Sequence, residues 1–196
     1  MSPLRRLRVS GAFWLLVLWF GAVNGWGLLG TVLLAAAVHE AGHCLVLLAA
    51  GARITGLRIG VLGAVLETDS VRLSYGRELL GVLAGPGANL LLAWVLRPLG
   101  EAASAAVGAN LVLAAFNLLP IYPLDGGRAL GLLVSWAAGP EAGHRLVRWT
   151  GAGTGLALAG GAAWLMWRTG GSLWLLPPMA GALAAAGRSL TGALPE

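Results

Sequence analysis

His39-Glu40-Ala41-Gly42-His43 sets two imidazoles four positions apart with a carboxylate between them. On an α-helix this spacing puts both rings on one face, about 40° apart around the axis and about 6 Å apart along it. Both can reach one ion, and Glu40, beside that face, can reach a water held there. Ala41 and Gly42 leave room next to the ion. Two histidine ligands and an adjacent glutamate base are the parts of zinc-assisted hydrolysis.

A catalytic zinc takes a third protein ligand and keeps one position open. Glu67, Asp69, Glu78, Glu101 and Glu141 are candidates by type, and His144, between Gly143 and Arg145, reads as a solvated residue. Asp125 stands apart. It follows Asn117-Leu118-Leu119-Pro120 and Pro123-Leu124, and it precedes Gly126-Gly127. Prolines end a helix, and glycines let the backbone turn tightly. Asp-Gly is also an ordinary turn, but next to a motif that lacks a ligand we read Asp125 as the third one. Cys44 sits about 100° around the helix from His43 and reads as a small core residue.

The motif is embedded in apolar sequence. From Gly11 to Ala52 the other polar side chains are Asn24 and Thr31. The chain of 196 residues is 58% hydrophobic and 11% charged. That is too few charges to coat a soluble globule of this size, and the apolar residues come in long runs. All 13 cations are arginines, scattered at the ends of apolar segments. This pattern fits headgroup anchors and topology signals, not a nucleic-acid surface. A single cysteine excludes an intrachain disulfide. Arg5, Arg6 and Arg8 before an apolar run resemble a signal peptide, but no small-residue cleavage site follows, so a retained first helix is expected.

The expected fold is an all-α polytopic membrane protein forming one membrane-embedded domain, residues 1–196. It has about six transmembrane helices, at residues 9–23, 26–50, 79–96, 102–119, 147–167 and 172–187. Gly85-Pro86-Gly87 is expected to interrupt the third, and a short helix is expected to run to Ala138. Residues 51–77 are more polar and contain β-leaning stretches, which predicts a short membrane-associated hairpin between helices two and three, with Gly63 near its turn. With both termini cytoplasmic, eleven of the thirteen arginines fall inside, and Arg97 and Arg168 fall outside. This orientation puts the motif in the cytoplasmic half of the cell membrane.

Together, the His39–His43 motif, Asn117–Pro120 and Pro123–Gly127 resemble the site-2 protease family of zinc intramembrane metalloproteases over roughly residues 10–190. The nearest branch is that of the stage IV sporulation protein FB. Gly85-Pro86-Gly87-Ala88-Asn89 resembles a third, weaker family element. The resemblance implies one zinc held by His39, His43 and Asp125, with Glu40 as base. It implies a substrate that is a transmembrane or membrane-adjacent segment of another protein, such as a membrane-bound transcription regulator or its inhibitor, cleaved in regulated intramembrane proteolysis. Neither a PDZ domain nor a cystathionine-β-synthase domain is expected here.

Asn89 and Asn117 are candidate substrate contacts, with helix joining as the other reading. Residues 53–66 offer an edge for an unwound substrate, or else form a hairpin on the headgroups. Thr31 and Thr55 are partners for the histidines by type only. Two other classes stay in view. A zinc-binding membrane transporter would spread its ligands over several spans without a base beside a histidine. A non-catalytic membrane scaffold would not need His39, Glu40, His43 and Asp125 all intact.

Overall fold

The structure is a computed structural model that describes residues 7–60, 63–69, 73–170 and 176–191. By internal contacts the chain divides into two compact units, Met1–Phe116 and Asn117–Glu196.

The first unit opens on a strand, β1 (Leu7–Val9), followed by α1 (Gly11–Asn24) and α2 (Trp26–Ala49). Ser10 separates strand from helix, its Oγ accepting from Phe13 N at 3.2 Å. The first helix therefore starts two residues later than the sequence predicts. The expected hairpin is present as β2 (Arg53–Gly60) and β3 (Gly63–Asp69), paired antiparallel with a register shift between Ile54 and Gly56. It is part of a three-stranded sheet, because β1 pairs in parallel with Leu57–Ile59 of β2. Three residues are too few to show an alternating pattern, so β1 left no readable signal. Arg5, Arg6 and Arg72, used in the topology argument, lie outside the described residues.

The helix α3 (Tyr75–Leu96) runs unbroken through Gly85-Pro86-Gly87, where the sequence predicted an interruption. A 3-10 segment, Arg97–Ala103, follows and turns at Gly100, whose φ of 63° favours glycine. Then comes α4 (Ser104–Asn117).

The core of this unit is the contact between α2 and α3. On α2 the buried residues Ala35, His39, His43 and Leu47 recur every four positions. On α3 the matching stripe is Gly81, Gly85, Asn89 and Ala93. The two stripes meet antiparallel. A Cβ on Gly81 would meet Leu47, one on Gly85 would meet His43 and His39, and one on Gly42 would come within 2.6 Å of Ala84 O. Small residues on one helix thus let the other approach at backbone distance, the usual packing mode where lipid removes a hydrophobic drive between helices. The outward face is apolar: Leu34, Leu45 and Leu48 of α2 and Leu80, Leu91 and Trp94 of α3 are exposed.

In the second unit, residues 118–124 lead into α5 (Asp125–Ala138), α6 (Pro140–Arg168) and α7 (Leu176–Thr191). Gly126 and Gly127 lie against the backbone of Leu118–Ile121, so a side chain on either would overlap it. Gly151 and Gly155 of α6 similarly admit Ser189 and the Ala182–Ala186 backbone of α7.

Among the described residues, two stretches are long and apolar enough to cross a membrane, Trp26–Ala49 and the 43-residue stretch Tyr75–Asn117. The helix α1 is apolar but has 14 residues. That is about 21 Å at 1.5 Å per residue, against a hydrocarbon core of about 30 Å. Two of the expected six spans' regions are thus covered by the second stretch, which is divided at Gly100, and one by the first. The helix α7, with 16 residues, is shorter than this criterion requires, and the glycines of α6 admit close helix contacts but lower its hydropathy.

Candidate metal centre

His39 and His43 project from the buried stripe of α2, as their spacing predicts, and are 4% and 6% exposed. Their rings are nearly perpendicular, 82° between planes, and their Nε2 atoms lie 3.1 Å apart. Two imidazoles on one tetrahedral zinc, each at about 2.05 Å, would place their nitrogens about 3.3 Å apart. The observed pair fits that spacing. Gly85 faces both Nε2 atoms, and any Cβ there would collide with them. The lack of a side chain at residue 85 keeps that side of the pair open.

The outer nitrogens point into the fold. His43 Nδ1 lies 2.8 Å from the carbonyl oxygen of Gly81. His39 Nδ1 lies 2.6 Å from Asn89 Oδ1. Asn89 Nδ2 in turn donates to Ala35 O at 2.9 Å and to Asn110 Oδ1 at 2.7 Å. Such outer partners orient metal-ligating histidines and set which nitrogen carries the proton. The sequence named Thr31 and Thr55 by type. Thr31 instead donates to Gly27 O on its own helix, and Thr55 is exposed. The readable signal for the true partner was Asn89, an amide in an apolar helix. Its expected role as a substrate contact needs correction, because it is 0% exposed and its amide is engaged within the fold. Asn110 carried the same signal on α4 and was passed over.

Asp125 is the first residue of α5 and is buried. Backbone hydrogen bonds fix the approach to it, Ile121 N to Leu119 O, Leu124 N to Ile121 O, and Arg128 N to Leu124 O. His39 and His43 of the first unit offer two ring nitrogens, and Asp125 of the second offers a carboxylate oxygen, together the donor types of one metal site. Glu78, Glu101, Glu141 and His144, the other candidates with described side chains, are not in this group. Glu67 and Asp69 lie on β3, and their side chains fall outside the described set. Glu40 is half-buried beside His39, and Asn117 is half-buried at the end of α4.

No family model matches the chain. Over 96% of its length and 92% of the other chain, it superposes on the site-2 protease from Methanocaldococcus jannaschii with a TM-score of 0.70 and 20% identity. The chain has the site-2 protease fold. Two curated relatives agree in kind. A Synechocystis protein assigned by name to the zinc metalloproteases is 34% identical over 120 residues, 55% of this chain. A Methanocaldococcus jannaschii zinc metalloprotease is 29% identical over 121 residues, 56% of this chain. The chain matches only 32% and 35% of their lengths.

Proposed function

We propose that this chain is a zinc-dependent intramembrane endopeptidase of the site-2 protease family, near the sporulation branch. It would cleave a transmembrane or membrane-adjacent segment of another protein in regulated proteolysis. The observation that carries this reading is the His39–His43 pair, its Nε2 atoms 3.1 Å apart, on a helix apolar enough to span a membrane. Ionisable groups at membrane depth are costly and are usually retained for function.

His39, His43 and Asp125 would hold the ion, and their donor set of two imidazoles and a carboxylate suits zinc. Zinc, when bound, acidifies its water and polarises a carbonyl. Glu40 takes the proton as the water attacks and passes it to the leaving amine. Gly85 keeps one side of the histidine pair free of side-chain bulk, and Asn117 contacts the substrate backbone. A helical substrate must unwind before its carbonyls are accessible. The outer edge of β3 is the place for it to pair, because β2 lies between β1 and β3. The substrate is a membrane-bound regulator or its inhibitor. The protein sits in the cell membrane with both termini and the active site towards the cytoplasm.

The test is metal analysis of the purified chain together with cleavage of a membrane-embedded candidate substrate in liposomes. About one zinc per chain and chelator-sensitive cleavage are expected. Stoichiometric zinc without any cleavage across a panel of such substrates would move the reading to a transporter or a scaffold.

A further inference from the structure

We propose that Asn89 and Asn110 form a relay that fixes the tautomer of His39, making both positioning residues for the metal. This rests on the reading above for the metal's role, but the tautomer itself does not.

The argument starts from groups with only one role. A backbone carbonyl can only accept a hydrogen bond. Ala106 O therefore takes the Nδ2 side of Asn110, at 2.8 Å, which turns Asn110 Oδ1 towards Asn89. Ala35 O and that Oδ1 are both acceptors, and together they take the two N–H groups of Asn89. Flipping Asn89 would set its oxygen against two acceptors. Its Oδ1 therefore faces His39 Nδ1, and that nitrogen must carry the proton. The lone pair of His39 is left on Nε2. His43 reaches the same state more simply, because its Nδ1 faces Gly81 O.

The relay prevents a specific failure. The two Nε2 atoms are 3.1 Å apart. With the proton on Nε2, His39 could donate directly to His43 Nε2, and one hydrogen bond would occupy both lone pairs that the metal needs. A chain of amides from α4 through α3 to α2 excludes that state. It lies wholly in the first unit, and Asn89 and Asn110 are 0% and 2% exposed, so water does not compete for it.

The test uses the full chain in detergent, with zinc affinity measured by chelator competition and ring tautomers read by nitrogen NMR on metal-free, histidine-labelled protein. Three histidines keep the spectrum assignable. In the metal-free wild type, His39 is expected to be protonated at Nδ1. Asn89→Leu, which removes the acceptor, should lower zinc affinity about 10–100-fold and move the His39 proton to Nε2. Asn89→Asp keeps an acceptor for Nδ1 and should hold the wild-type tautomer, at a lower unfolding midpoint because its second oxygen faces Ala35 O and Asn110 Oδ1. Asn110→Leu should produce a partial shift in the same direction. Unchanged affinity and tautomer in Asn89→Leu would overturn the proposal. If Asn89→Leu does not fold, the wild-type spectrum still decides, since a His39 proton on Nε2 refutes the relay. A wild type that holds no zinc but shows Nδ1–H on His39 would sink the proposed function and leave the relay standing.

Discussion

The backbone of Gly85 lies against the Nε2 edge of His43, so close that a Cβ at residue 85 would overlap that nitrogen and crowd the same atom of His39. Gly85→Ala therefore sets two effects against each other. Within a helix, alanine is favoured over glycine by about 0.5–1 kcal/mol. At this position its methyl group would overlap His43 Nε2 and crowd His39 Nε2. The variant is expected to keep its helical content without metal and to lose zinc affinity at least about tenfold, the scale set by disturbed ligand orientation. Circular dichroism and chelator competition on the same sample separate the effects. Wild-type affinity would show that the ion does not lie between these rings.

Glu40→Gln removes a base and leaves His39, His43 and Asp125 in place. General acid–base catalysis typically contributes about 10²–10⁴-fold. Cleavage of a proven substrate should fall by at least about 10², with zinc content unchanged. Turnover within a few-fold of wild type would exclude Glu40 as the proton carrier.

The sequence revealed most about the site and least about its supports. His39, His43 and Asp125 were readable because polar side chains stand out in apolar sequence, and the i, i+4 spacing has a single geometric meaning on a helix. The start of α2 followed from the Gly25 turn, whereas the start of α5 at Asp125 did not, because Asp125-Gly126-Gly127 read as loop. The strand β1 was hidden in three residues, and its pairing with β2 depends on contact 50 positions away. The path of α3 through Pro86 was also unreadable, since local rules favour a break there. Asn89 was visible as an oddity, but its direction was not, because only packing of α2 against α3 aims an amide at a ring.

Gly42→Leu tests that packing. A Cβ on Gly42 would come within 2.6 Å of Ala84 O and 2.9 Å of Ala88 Cβ. Neither is the end of a flexible chain, so the helices must separate. Overpacking typically costs about 1–3 kcal/mol. A lower unfolding midpoint in detergent is expected, together with weaker zinc binding as Asn89 moves away from His39. A midpoint equal to wild type would mean that α2 and α3 do not meet at this glycine.

Asp125→Asn replaces a charged ligand with a neutral amide of nearly the same shape. Zinc content should drop well below one per chain, while Glu101→Gln and Glu141→Gln, at residues outside the cluster, should leave it unchanged. Loss in either glutamate variant but not in Asp125→Asn would reassign the third ligand.

Zinc should also stabilise the fold by mass action. A ligand that binds only the folded state adds about 2.7 kcal/mol at a hundredfold excess over its Kd. Resistance to unfolding in detergent should therefore rise with the logarithm of free zinc above the Kd, and a strong chelator should remove the increment. In a His39→Ala, His43→Ala double variant the dependence should vanish, because one carboxylate cannot hold the ion alone. This measurement needs no substrate, so it reports on the metal centre even before a target is found. A zinc-dependent increment that survives in the double variant would place the ion elsewhere in the chain.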